Sequence, residues 1–246
     1  MTMGGIEEPE LLDLWERGRP LAALERGELL LGAACPGTPA EELSRLSIGR
    51  RDACLLRLRE LTFGPDMRAL TKCPGCAERL ELQFGTSDIL VDESGDTTET
   101  AEVKVEGYGI TVRAPNTLDL RAVSAARDLE KARRDLIERC VVAAVRGTTA
   151  LTVDELPEGV LAAAVERMEG LDPQAEVDLS LECPSCRHAS TVAFDIASYF
   201  WEEIASRAKH LLHEIDVLAR VYGWSEGEVL ALSPGRRQAY LDLVAR

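Results

Sequence analysis

The sequence is poor in aromatic residues and in positive charge, and it has no long apolar run. Phe, Trp and Tyr make up 4% of the 246 residues, so a core has to be built from Leu, Val, Ile and Ala. Lys and Arg number 28 against 43 Asp and Glu, which gives a formal net charge of −15. A chain this acidic repels a phosphate backbone, which argues against nucleic-acid binding. No stretch approaches the roughly 18–20 apolar residues of a membrane helix.

Signatures of common enzyme classes are also missing. The sequence contains no P-loop, no G-x-G-x-x-G, no G-x-S-x-G and no H-E-x-x-H. The acidic N-terminus lacks the pattern of a secretory signal, and seven cysteines cannot all pair in internal disulfides. We therefore expect a non-enzymatic cytoplasmic protein with no membrane anchor and no small-molecule substrate. In a reducing compartment, C-x-x-C more often indicates metal or redox chemistry than a disulfide.

The most informative pattern is a pair of C-P-x-C elements. Cys73 and Cys76 frame the first element, and Cys183 and Cys186 frame the second. Each is typical of a zinc knuckle, a tight turn that points two thiolates at one metal ion. Two knuckles supply the four sulfurs of a closed structural zinc site. Because that shell leaves no position for water, the predicted zinc stabilises the fold and performs no chemistry.

The two knuckles belong to an internal repeat. Under the shift that aligns one knuckle with the other, residues match in pairs: Cys76 with Cys186, Leu82 with Val192, and Phe84 with Phe194. The repeat is therefore a knuckle followed by a strand with an alternating apolar face. The 106 residues between the knuckles far exceed the spacer of about 15–20 residues in an ordinary zinc ribbon. Either a large insertion separates the halves of one site, or two incomplete sites are completed elsewhere.

Other interpretations of the cysteines stay open. A redox C-x-x-C belongs at the start of a helix, whose dipole lowers the thiol pKa, whereas strands are predicted after both knuckles here. Iron in the same all-sulfur site and metal-free cysteines are further alternatives. The remaining cysteines and histidines fit no ligand pattern: Cys35, Cys54, Cys140, His188, His210 and His213. We expect small buried hydrophobes for the cysteines, and turn or surface positions for the histidines, with His188 a possible spare ligand.

The pattern of apolar residues and breakers predicts an α+β fold that is mainly helical. A small zinc-ribbon-like β module is formed by the two knuckles, with a long insertion between them. The predicted regions are an N-terminal helical region 1–65, the first knuckle and strand 66–91, an insertion of a hairpin plus helices 92–175, the second knuckle and strands 176–197, and C-terminal helices 198–246.

Three long helices are predicted within these regions. Residues 42–62 and 118–146 are each expected to form one helix, and residues 92–100 an acidic loop. From Phe200 to Tyr222, apolar residues recur at spacings of 4, 4, 3, 4, 3 and 4, which indicates an amphipathic helix that ends at Gly223.

Residues 172–244 carry a resemblance to a known family. They contain a strand leading into C-P-x-C, then F-D-I, an L-L-x-E-I-x-x-L-A helix, Y-G-W-S-E, and L-S-P-x-R-R-x-x-Y-L. This stretch resembles the C-terminal part of baseplate proteins from contractile phage tails and related contractile injection systems. The first knuckle is similar as well, with L-R-E-L-T-F-G before it and R-L-E-L-Q-F after it. The resemblance covers most of residues 50–246.

The resemblance implies a non-enzymatic structural component of a baseplate. Its partners would be other baseplate, hub or spike proteins, and it would be assembled into a phage-tail-like particle in the cytoplasm. The same family is similar to proteins labelled baseplate-hub assembly chaperones, so a transient chaperone absent from the mature particle is the first alternative. A zinc-ribbon regulator that binds nucleic acid is the second alternative, and the net charge counts against it.

Overall fold

Helices dominate the residues that the computed structural model describes, which are 4–91 and 100–245. The N-terminal part contains α1 (Glu8–Gly18), α2 (Ala23–Ala34), α3 (Ala40–Leu43), α4 (Ile48–Phe63), β1 (Asp66–Lys72), β2 (Arg79–Gly85) and α5 (Thr86–Ile89). The middle part contains β3 (Thr100–Val105), β4 (Tyr108–Arg113), α6 (Thr117–Val123), α7 (Leu129–Cys140), β5 (Val141–Arg146) and β6 (Thr149–Ala150). The last part contains α8 (Glu158–Leu171), β7 (Val177–Glu182), β8 (Ala189–Phe194), α9 (Ile196–Tyr222), α10 (Glu226–Leu230) and α11 (Pro234–Val244). The predicted α+β, mainly helical class is confirmed. The five predicted regions stay a prediction, and the predicted loop 92–100 lies outside the described residues apart from Thr100.

The amphipathic helix α9 is the centre of the helical core. Its apolar stripe is fully buried at Phe200, Ile204, Ala208, Leu211 and Leu218. Helices α1, α2, α4, α10 and α11 pack around it. Each large apolar side chain buried in this way contributes about 1.5–3 kcal/mol. The helix ends as predicted, where Gly223 adopts the left-handed conformation with φ of 72°.

A second core lies in the insertion. Strands β3, β4, β5 and β6 form an antiparallel sheet in that order, and α8 packs on β3 and β4. The buried residues between them include Ile110, Val112, Val160 and Ala164. The predicted hairpin is confirmed, and Gly107 occupies its turn with φ of 81°.

Two of the predicted helices are wrong in extent. Residues 118–146 divide into α6, α7 and β5, because Asp128 caps a new helix by accepting from the N–H groups of Glu130 and Lys131. Valine-rich β5 then pairs with β4, which suits β-branched side chains better than a helix does. Residues 42–62 divide as well. Ser47 caps α4 by accepting from the N–H of Arg50, which leaves α3 as a separate turn.

The insertion is attached to the helical core at the N-terminus of α4. Ser47 and Asn116 form an isolated β-bridge. The N–H of Gly49 donates to the buried carboxylate of Asp172 at 2.7 Å, where an anion is favoured by the helix dipole. A Cβ at Gly49 would lie 2.3 Å from the other oxygen of that carboxylate. The close approach of α4 and the end of α8 therefore requires glycine at this position.

Candidate metal centre

Two β-hairpins carry the knuckles, and their strand registers coincide under the shift that aligns the knuckles. Arg68 faces Gln83 across β1 and β2, and Asp178 faces Ala193 across β7 and β8. The flanking helices match too. Helix α4 precedes β1 as α8 precedes β7, and the shift that aligns the knuckles also aligns the start of α5 with the start of α9. The repeat is therefore longer than the sequence indicated. Strand β1, which was not predicted, is the counterpart of β7.

The backbone of each knuckle folds the same way. The N–H of Cys73 donates to the carbonyl of Glu78, and the N–H of Ala77 donates back to the carbonyl of Cys73, both at 2.8 Å. The second knuckle repeats the two bonds at 3.0 and 2.9 Å. Ala77 and its counterpart Arg187 both have φ of 62°, a left-handed conformation that costs free energy for residues other than glycine. Such strain is kept where the surrounding structure requires the turn.

All four knuckle sulfurs meet at one place. The Sγ atoms of Cys73 and Cys186 are 3.6 Å apart, those of Cys76 and Cys183 are 3.7 Å apart, and the four lie within 4.8 Å of one another. These distances exclude a disulfide, whose sulfurs are about 2.05 Å apart. A tetrahedral ion with metal–sulfur bonds of about 2.3 Å would place its ligand sulfurs about 3.8 Å apart. The cluster therefore fits one four-coordinate metal ion and favours a single shared site over two incomplete ones.

The cysteines show the same pattern of burial in the two hairpins. Cys73 and Cys183 are buried and contact Leu80, while the second cysteine of each knuckle is exposed. Further along the hairpins, Phe84 and Phe194 meet edge to face with ring centroids 5.4 Å apart. The hairpins thus stack through alternate residues, with the cysteines at their tips.

Backbone donors already favour a thiolate on one side of the cluster. The N–H groups of Cys186 and Ser185 lower the pKa of Cys183 to about 7. At Cys76, the N–H of Glu78 favours the thiolate, but hydrogen bonds with the neighbouring sulfurs outweigh it and raise the pKa to about 12. Crowded thiols resist the loss of further protons, whereas a bound divalent cation would stabilise all four thiolates.

The other predicted residues lie away from this cluster. Cys140 is buried in the insertion, and burial raises its pKa to about 11, which confirms its interpretation as a small hydrophobe. Cys35 and Cys54 are only half-buried against the helical core. The imidazole of His210 lies 2.8 Å from the carbonyl of Ser206 on the exposed side of α9.

His188 packs on the opposite knuckle. A Cβ at Gly75 would lie 3.2 Å from both Cβ and Cγ of His188, so the side chain covers the turn of the first knuckle. Sequence reasoning placed His188 in a turn but missed this contact between knuckles. The glycine in C-P-G-C was the available signal, because a missing side chain often marks a close approach.

The fold and the sulfur cluster define a mainly helical α+β protein with one candidate metal centre among the described residues. A family model described as T4 bacteriophage base plate protein matches residues 30–201. This match covers more than half of the chain and includes both knuckles and the insertion, and the chain belongs to this family. No curated protein and no solved structure matches the chain. None of the helices in the described part of the chain combines the length and apolar character needed to span a bilayer.

Proposed function

We propose that the chain is a non-enzymatic structural component of a phage baseplate whose two repeat halves are joined by a structural zinc ion. The family match supports the baseplate role, and the convergence of four sulfurs supports the metal. The ligands would be Cys73, Cys76, Cys183 and Cys186. The partners would be other baseplate, hub or spike proteins, and the chain would be assembled with them into a phage tail particle.

The all-sulfur ligand set favours zinc. Thiolates in a tetrahedral arrangement are typical of structural zinc sites, and four protein ligands leave no coordination position for water. The ion would join two hairpins whose shared inner faces are mostly half-buried. Zinc would therefore supply cohesion that the small apolar contact between the hairpins cannot provide.

Elemental analysis of the purified protein tests the metal. We expect about one zinc per chain, and loss of the metal in Cys73→Ser and Cys183→Ser. Cys35→Ser is the matched control, because Cys35 is half-buried elsewhere and should keep the metal. Well-folded protein with neither zinc nor iron would refute the metal site, and stoichiometric iron would replace zinc in the proposal.

Mass spectrometry of purified, sheathed particles tests the structural role. Recovery of the chain in a fixed ratio to known baseplate proteins would support a structural component. Its absence from particles whose assembly requires it would instead establish the assembly chaperone. Salt-sensitive DNA binding at physiological ionic strength would favour the nucleic-acid regulator over both.

A further inference from the structure

An open groove runs between α7 and α8 in the insertion. One end is a cavity of about 600 Å³ with a largely apolar floor made by Leu136, Ile137, Cys140, Val165 and Met168. A second cavity of about 360 Å³ continues along the same two helices. Both cavities are lined by Arg133, Ile137 and Val165. We call the two cavities together the α7–α8 groove, and its elongated course suits a chain segment better than a compact molecule.

The rim of the groove beside β7 is acidic. Glu169, Glu176 and Asp178 line the larger cavity, and all three residues are exposed. Among the described residues that line this cavity, Arg133 is the one basic side chain. A segment that enters the groove here is therefore favoured when it carries Lys or Arg beside its apolar residues.

Strand β7 offers a backbone edge at the same place. In the first hairpin, the hydroxyl of Tyr199 accepts from the N–H of Arg68 and donates to its carbonyl, both at 3.1 Å, so those groups point away from β2. The matching register directs the corresponding groups of Asp178 away from β8. Because Glu176 and Asp178 line the larger cavity, this outer edge of β7 borders the groove.

We propose that the α7–α8 groove binds an extended segment of another protein, which adds as a strand to the outer edge of β7. Apolar side chains of the segment would fill the cavity, and its Lys or Arg residues would face the acidic rim. Main-chain hydrogen bonds would supply affinity and the cavity would supply specificity, as in other strand additions. The identity of the partner as a baseplate protein rests on the proposed function, whereas binding to the isolated protein does not.

Binding of a defined peptide to the full-length protein tests the groove. The probe is the labelled peptide acetyl-Lys-Val-Lys-Phe-Lys-Val-amide, and its Glu-for-Lys counterpart is the charge control. We expect the basic peptide to bind at least about 10-fold more tightly than the acidic one by fluorescence anisotropy. A backbone N-methylated form of the basic peptide should lose most of its affinity, because it cannot donate to β7.

Variants of the protein locate the site. Asp178→Lys should weaken binding of the basic peptide about 10-fold, whereas Glu166→Lys, an exposed acidic position of α8 that does not line the groove, should not. Val165→Trp should fill the groove and block the peptide. If Val165→Trp does not fold, Asp178→Lys and the N-methylated peptide decide the question.

Three results would overturn the proposal. They are equal binding of the acidic and basic peptides, undiminished binding of the N-methylated peptide, and equal effects of Asp178→Lys and Glu166→Lys. Self-association abolished by Asp178→Lys would assign the groove to a second copy of the chain instead. These measurements use isolated protein, so they are independent of the particle experiment. The peptide can fail to bind although the chain is recovered in particles, and it can bind although the chain is absent from them.

Discussion

Replacement of Gly49 by alanine tests how the insertion is attached to the helical core. The new methyl group would lie 2.3 Å from the Asp172 carboxylate and 2.8 Å from the N–H nitrogen of Ala175. The end of α8 would therefore have to move, which costs about 1–3 kcal/mol in overpacking. The hydrogen bond to the buried carboxylate would be lost as well, at about 1.5–3 kcal/mol. Alanine favours the helix by about 1 kcal/mol, so the net loss of stability should be about 1.5–5 kcal/mol.

Gly159→Ala is the matched control. Gly159 is the second residue of α8 as Gly49 is of α4, and a Cβ there meets nothing within 4 Å. The same substitution should therefore stabilise the protein by about 0.5–1 kcal/mol. Urea unfolding of both variants gives the comparison. An increase in the midpoint for Gly49→Ala, like that of Gly159→Ala, would refute the close packing of α4 on the end of α8.

Three further predictions concern the buried charges and the proposed metal. Arg237 is 1% exposed and lies between Glu8 and Glu214. Arg237→Leu should lower the free energy of unfolding by about 3–5 kcal/mol, because two carboxylates lose their partner. Arg236→Leu, at an exposed position, should change the urea midpoint little. Burial raises the pKa of Asp52 to about 6, so the folded state holds this proton more tightly than the unfolded chain. The contribution of Asp52 to stability should therefore fall by about 3 kcal/mol as the pH rises from about 4 to above 6, and Asp52→Asn should remove this contribution from the pH dependence measured for the unchanged protein. Removal of the metal with a chelator should lower the thermal midpoint and increase proteolysis near the knuckles, and added zinc should reverse both.

Local patterns were sufficient for much of the fold. The spacing of apolar residues predicted α9 from Phe200 to its end, because one helix face is buried along nearly its whole length, but it missed the first turn, which begins at Ile196. The C-P-x-C elements predicted the four residues of the sulfur cluster. Each short turn fixes the spacing of its own two cysteines, so two turns can form one ligand shell whatever the length of the insertion between them, provided that its ends lie close together. The constant offset between the two knuckles and the strands after them revealed the repeat for the same reason.

Long-range contacts explain what local patterns missed. The helical spacing of apolar residues in α7 continues past Cys140 to Ala144. Residues 141–146 nevertheless form β5, because its valines pair with β4, a strand that lies much earlier in the insertion. The β1 strand was not predicted because two of its three inward residues, Ala69 and Thr71, are small or polar, which leaves Met67 as the one large apolar residue on that face. Neither the contact of Gly49 with Asp172 nor that of Gly75 with His188 has a local signal beyond the glycine itself.

The order of the repeats along the chain has a consequence for biosynthesis. The first knuckle leaves the ribosome with only two sulfurs, and the whole insertion follows before Cys183 appears. At synthesis rates of about 5–20 residues per second, this interval lasts about 5–20 s. During that time a metal ion can gain only half of its ligands from this chain. Coordination by four sulfurs is thus possible only after the insertion has been synthesised. A chain with both repeats can therefore bind the ion with four ligands, whereas a chain truncated before Cys183 cannot.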